Sequence, residues 1–446
     1  MQVTVKAALC FLFIHSFFHS FCLAVEAPEN DQPRSVSQSA YLALKSHPKI
    51  RISKNALYAS QQQLTKVESA LLPNVSLSVG IGREDSNNAS TRSNAGFSSL
   101  EMERRESAIT LSQLLFDGFN ADYLRRSQLE KITAEEASYL HVSSEIALKA
   151  IEAHLNVATK NKVLKNHLAN LKVHEKIAKD VGLRVRSGKD DRARVSQISA
   201  RLSLALANLE AAKNQVLSAN ADYLRDIGEL PSQQLNFTDK LFQMPETESG
   251  FISLVIKDNL FLSSKAQEMK AQKFVEEASE ASRLPTVYLE SGASWNDNID
   301  GVSGRNSDAF IMLRMRYDLY KGGSDRASER IAKSQAQSLR YEIDDLQREF
   351  RREASHAWFS YQSNSKRLSF LQDYVESAKT TKVAYAQQFN IGQRSLIDLL
   401  DAENELLRAK EQLNDVQQAL ILSKYQMLHL QGVLLSTLSL DGLVVM

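Results

Sequence analysis

Asp398 and Asp401 stand three residues apart in the stretch LIDLLDAENELL, which puts two carboxylates on one face of a helix. Such a pair has two physical uses. Near a helix N-terminus, carboxylates meet the positive end of the macrodipole and stabilise the helix. At a functional site, the same pair could act through its charge. Spacing alone favours the helix-end role. Other arrangements carry less chemistry. His167 and His174 lie one heptad apart, but no third ligand stands near them in sequence, so a solvated helical stripe competes with a metal site. Gly80 and Gly82 begin a GxG without its third glycine inside a strand-like segment, which does not suit phosphate. There is no HExxH pair and no GxSxG. No enzymatic activity and no cofactor are expected.

The elements that position the aspartates follow from punctuation. Only 7 prolines and 16 glycines interrupt 446 residues, and residues 74–230 and 286–446 contain no proline, so long helices are the natural content. Lys and Arg number 54 against 53 Asp and Glu, a balance that offers no overall basic field for nucleic acid. Residues 1–27 place Lys6 before an apolar run that ends at Val25 and Ala27, the pattern of a cleaved signal peptide. A membrane anchor is the alternative, although His15, Ser16, His19 and Ser20 interrupt the apolar run. Cys10 and Cys22, the only cysteines, lie in this segment. No later segment is apolar for long enough to span a membrane as a helix.

The chain is written twice. Gly118, Gly188 and Gly228 recur as Gly322, Gly392 and Gly432, each 204 residues later (322−118, 392−188, 432−228). Upstream, the stretch from Ala43 to Val75 lies without gaps on that from Val255 to Val287, and Pro73 falls on Pro285. The difference in offset falls in the polar stretches Glu84–Glu106 and Asn296–Asp308, read as loops. The division is a signal peptide (1–27), a first repeat (28–230), a linker (231–250), a second repeat (251–432) and a tail (433–446).

Segments of period two flank each polar stretch. Val75, Leu77, Val79 and Ile81 alternate with Ser76, Ser78, Gly80 and Gly82, while Ile311, Leu313, Met315, Tyr317 and Leu319 alternate with Arg314, Arg316 and Asp318. A soluble hairpin on a core fits this pattern, and so do strands of a transmembrane barrel with a wet lumen. Two strands per repeat give four per chain, too few to close a membrane barrel, so a barrel must be shared between chains. Residues 119–187 read as one helix, about 100 Å long at ~1.5 Å per residue. Beyond each tip glycine, Val195, Leu202, Leu209, Val216, Tyr223 and Leu399, Leu406, Leu413, Leu420, Met427 repeat every seventh residue, with Ile198, Ala205, Ala212, Ala219 and Ala402, Ala409, Val416 beside them. Gly188 and Gly392 therefore mark the turns of two long helical hairpins.

At this point the chain resembles the TolC-like outer-membrane efflux and secretion proteins. The matching residues are ALLP and SRLP before the first strand of each copy, LFDGF (Leu115–Phe119), LYKGG (Leu319–Gly323) and IGQRSLIDLLDAENEL (Ile391–Leu406). The resemblance implies a homotrimer in the outer membrane of a Gram-negative bacterium. Three chains would give four strands each to a twelve-stranded β-barrel, continued by a twelve-helix α-barrel across the periplasm. It also implies a periplasmic adaptor protein and an inner-membrane ABC transporter as partners. VSLSVGIGREDSNN and RRESAITLSQLLFDGF look more like the type I secretion, adhesin-exporting branch than the drug-efflux branch.

The resemblance places Asp398 and Asp401 in an acidic ring at a narrow periplasmic entrance, and Phe389 and Arg394 among the groups that tie it closed. Gly188 and Gly392 mark the tips where an adaptor would dock. The chain departs from the family pattern at Arg194, which stands where an aspartate is common. Asp190 precedes Arg194 by four residues as Arg394 precedes Asp398, an inverted charge order. Local i,i+4 pairs account for it. So does pairing between adjacent tips, with Asp190 near Arg394 and Arg194 near Asp398.

Overall fold

The computed structural model describes residues 34–89, 91–92, 99–188, 191–232, 235 and 244–444. The signal-peptide segment 1–27 and Asp190 lie outside the described residues. The first copy runs through α1 (Val36–Ser46), α2 (Pro48–Glu68), β1 (Asn74–Ser86), β2 (Leu100–Phe116), α3 (Asn120–Arg186) and α4 (Arg192–Ile227). The second runs through α5 (Glu248–Asp258), α6 (Leu260–Ala281), β3 (Thr286–Ile299), β4 (Val302–Arg316), α7 (Ser324–Asn390) and α8 (Leu396–Leu430), followed by α9 (Leu434–Thr437) and α10 (Asp441–Val444).

The repeat is reproduced in the elements. Both ends of α5 lie 212 residues after those of α1 (248−36, 258−46), and both ends of α7 lie 204 after those of α3 (324−120, 390−186). All six repeated glycines have φ between 64° and 92°. At Gly188 and Gly392 a Cβ would meet open space, so backbone conformation alone favours glycine at the tips. The linker's last three residues belong to α5, because Thr247 caps its first turn through Gly250 N. The tail folds back, with Leu434, Leu435, Leu438 and Leu440 buried.

α3 and α7 are unbroken helices of 67 residues, each about 100 Å long. The tip-proximal part of α3 packs on α4, and that of α7 on α8, while α2 and α6 pack along α3 and α6 also meets α7. In both hairpins the small-residue row is buried, at Ala205, Ala212, Ala219 and at Ala402, Ala409 with Val416, and the heptad row beside it is buried at Leu209, Tyr223, Leu399, Leu406 and Met427 but exposed at Val195. Missing side-chain bulk in the small-residue row lets the helices approach closely.

Midway along the rods, α1, the start of α2, α3, α9 and the distal ends of α4 and α8 build a core around Ala40, Ile146, Ile151, Leu155, Tyr223 and Ile227. Inside it, Ser39 Oγ lies 2.8 Å from His154 Nδ1 and 3.0 Å from the Tyr223 hydroxyl, which accepts from Arg34. All of Ser39, His154 and Tyr223 are sealed from solvent, so this Ser–His contact is a buried hydrogen bond of the core.

The four strands form one antiparallel sheet in the order β1-β2-β3-β4, and β2·β3 pairing joins the two copies. Register puts Leu77, Ile109, Ala293 and Ala309 in one row across one face, and Ser78, Ala108, Ser294 and Asp308 across the other. On the first face, Val75, Leu77, Val79 and Ile81 are 65%, 68%, 74% and 79% exposed. On the second, Arg104 pairs with Glu84 at 2.9 Å and Glu106 at 2.8 Å, and Arg314 with Glu290 at 2.7 Å. Arg104–Glu84 and Arg314–Glu290 cross between strands. The ladder corrects the reading of Glu84–Glu106 and Asn296–Asp308 as loops: strands of 13 to 17 residues run well into both. The β3–β4 turn is only Asp300–Gly301, with φ of 53° and 75°, the conformation a two-residue hairpin turn needs. β4 ends at Arg316, so Tyr317 and Leu319 continue beyond the strand.

His429 sits between α8 and α3, its Nδ1 2.8 Å from Ser144 Oγ and its ring 5.6 Å from that of His141. Burial, with His141 adding to it and Glu145 opposing, lowers its pKa to about 4. Burial also lowers that of His141. A histidine whose folded pKa is depressed stays neutral in the fold and takes up a proton on unfolding, so its contribution is intact above the unfolded pKa of about 6.5 and is lost as pH falls from there towards 4. Thermal melts should show the wild type losing stability between pH 7 and pH 5, by at most about 2 kcal/mol per chain from this group. His429→Gln should lose less over the same interval. Parallel losses in the two proteins would contradict the assignment.

Candidate functional site: the hairpin tips

The two hairpins meet at their tips in a small apolar core. Ile177 and Val181 from α3, Ile198 from α4, Phe389 from α7 and Leu396, Leu399 and Leu400 from α8 are all buried there. The chain reverses at Gly188 between α3 and α4, where Asp191 caps α4 by accepting from Ala193 N. It reverses again at Gly392, where Ser395 caps α8 by accepting from Asp398 N at 3.2 Å. The second cap places Asp398 in the first turn of α8 and Asp401 one turn on, on its exposed side.

Around this core the charged groups divide into two sets. Within the second hairpin, Arg394 lies over the Tyr385 ring with 4.1 Å from Cζ to the centroid, donates from Nε to Gln388 Oε1 at 3.1 Å, and approaches Asp398 Oδ2 at 3.9 Å. Lys382 reaches Glu403, a buried carboxylate, at 3.1 Å. Between the hairpins, Arg201 Nη2 donates to Asp401 Oδ1 at 3.1 Å, and Arg184 Cζ lies 4.7 Å from the centre of the Phe389 ring.

The described residues among those singled out at the tips in the sequence are thus gathered at one end of the rods. Asp398 forms its ion pair with Arg394 of the turn that leads into its helix, the local i,i+4 arrangement. Arg194 is half-buried on α4. Asp190, the expected partner of Arg394 across the tips, lies outside the described residues. Phe389 is 3% exposed, so its ring closes the intrachain core instead of facing solvent. Sequence reasoning passed over Arg184 and Arg201. The repeat carried a signal for Arg201, because the equivalent position of the second copy is Glu405 (405−201 = 204), an inversion like that of Arg194 and Asp398. Arg184 carried no such signal, since packing over an aromatic ring depends on the approach of two distant helices.

The two histidines point to different partners. His167 Nε2 lies 2.9 Å from Glu411 Oε1, while His174 is buried with Nδ1 3.0 Å from the Asn170 carbonyl, so they do not converge on one metal.

Residues 40–226 and 253–432 match the outer membrane efflux protein family. The chain is 25% identical over 325 residues to the outer membrane efflux protein BepC of Brucella suis, covering 73% of this chain and 71% of that one. It is 22% identical over 386 residues to the alkaline protease secretion protein AprF of Pseudomonas aeruginosa, covering 84% and 79%. In structure it is similar to the Campylobacter jejuni outer membrane channel CmeC, with a TM-score of 0.78, 16% identity and coverage of 90% and 86%. With the family matched in both copies of the repeat, this chain belongs to the outer membrane efflux protein family, TolC-like proteins of the outer membrane whose helical part extends into the periplasm.

Proposed function

We propose that three copies of this chain close into one duct, a twelve-stranded β-barrel in the outer membrane continued by twelve helices through the periplasm. The duct serves type I secretion: a periplasmic adaptor docks near the tips at Gly188 and Gly392, and an inner-membrane ABC transporter delivers a protein substrate. The observation that carries this reading is the four-stranded sheet, with β1 and β4 as its two edges and one apolar face left exposed. Hydrocarbon accepts that face but does not accept unpaired edge amides, so each edge takes the opposite edge of another copy. The opposite face, with its Arg104 and Arg314 ion pairs, suits a wet lumen. Secretion is favoured by the likeness to AprF, a protease secretion protein. Small-molecule efflux is the second reading, favoured by the likeness to BepC. The transport role itself needs neither catalysis nor cofactor.

At the periplasmic end, Asp398 and Asp401 from three chains make six carboxylates around the entrance, which draw cations and filter traffic without reacting. Phe389 and Arg394 help hold the entrance narrow by packing the second hairpin. Asp190 and Arg194 contribute charge pairing at the neighbouring tip, a contribution of at most about 1 kcal/mol per exposed pair and weakened by salt.

Two measurements test these assignments. Leu313→Arg or Met315→Arg, on the lipid side, should cost about 2 to 4 kcal/mol near the bilayer midplane and reduce the yield of heat-modifiable trimer in outer-membrane fractions, while Ser78→Arg on the lumen side should assemble normally. Equal assembly of all three would contradict the faces. Replacing Asp398 and Asp401 together with alanine should lower cation selectivity in single-channel recordings and abolish block by multivalent cations added from the periplasmic side. Unchanged selectivity and block would leave both residues with only their helix-end role.

A further inference from the structure

The two hairpin tips carry opposite charge. Residues 189–201 of the first hairpin hold four basic and two acidic side chains, while the equivalent residues 393–405 of the second hold one basic and four acidic. Asp398 and Asp401 differ in how this charge is met. The partner of Asp398 is Arg394, on the same helical hairpin, so the pair travels together in any rigid displacement of that hairpin. The partner of Asp401 is Arg201, on the other hairpin. Relative movement of the two hairpins therefore leaves Asp398 as it is and changes the surroundings of Asp401. The apolar tip core and the Arg184–Phe389 contact hold the hairpins together in the conformation described. An ion pair between exposed side chains is weak enough to break with such a movement.

We propose that Arg201 is a conformation-dependent counter-ion of the entrance. With the tips together, Arg201 neutralises Asp401. When the second hairpin swings away from the first, Arg201 is left behind and Asp401 presents its full charge to the widening passage. The inference rests on the duct reading above, and adds that selectivity and gating are one event: opening admits larger cargo and makes the entrance more strongly cation-attracting in the same step. Three chains release three carboxylate charges, and the wetter, wider passage tempers their effect by screening.

Single-channel recording of purified trimers in planar bilayers tests this, with the reversal potential in a KCl gradient and block by hexaamminecobalt(III) from the periplasmic side as readouts. Arg201→Gln should raise conductance and the cation-to-anion permeability ratio together, and lower the blocking concentration about threefold, the scale of a weak exposed ion pair. Arg201→Gln with Asp401→Asn should keep the raised conductance while the permeability ratio falls below that of the single variant. The exchanged pair, Arg201→Asp with Asp401→Arg, should return conductance towards the wild-type value. If Arg201→Gln raises conductance but moves neither selectivity nor block, the pair is a latch alone and the counter-ion role is overturned. If wild-type channels form and all three readouts are unchanged in Arg201→Gln, the inference fails while the duct reading stands. Absence of channels from wild-type trimers overturns the duct reading and the inference with it.

Discussion

A β-sheet in hydrocarbon must pair every backbone amide, and this chain brings a sheet whose first and last strands are both edges. The rest of the architecture answers to that constraint. The two copies of the repeat are joined through β2·β3, so a single chain already supplies a continuous four-stranded arc with one apolar and one charged face. The strand ends pass into helices of 67 residues, which carry the arc's geometry about 100 Å away from the sheet. Oligomeric closure, as proposed here, would satisfy the edges and align the rods in the same act.

Stability of the rods is distributed unevenly along their length. The mid-rod core gathers six helices and seals a hydrogen-bonded set of Ser39, His154 and Tyr223, whereas the tips rest on a few apolar side chains and surface ion pairs. That gradient suits a gate. Local opening draws on the least buried end of a structure, so in the proposed duct the central core would keep the remainder fixed while the tips move.

Much of this was legible in the sequence, for physical reasons that can be named. The glycines at 118, 188, 228, 322, 392 and 432 were visible because left-handed backbone strongly favours glycine, so each marks a turn. The strand faces of Leu77 and Leu313 were visible because period two fixes which side chains share a face. The length of the strands was not, since Arg104 and Glu84 look like loop residues until cross-strand register brings them together. The tip shows the same divide. Asp398 and Asp401 were found from helix spacing, but the buried position of Phe389 and the Arg201–Asp401 pair depend on how two hairpins separated by about two hundred residues approach each other, which no local pattern encodes.

The central claim, that the free edges of one chain are met by other copies, has a direct measurement. β1 and β4 stand at opposite edges of a four-stranded sheet, about 14 Å apart at ~4.8 Å per strand, too far for a disulfide within one chain. The two native cysteines both lie in the segment read as a signal peptide. Cysteine pairs, one at Ser76, Ser78 or Gly80 in β1 and one at Asp308, Phe310 or Met312 in β4, should be oxidised in outer-membrane preparations and resolved on non-reducing gels. The account predicts that at least one pair gives a ladder of covalent dimers and trimers ending at three chains. Monomers from every pair, or a ladder that continues past three, would contradict it.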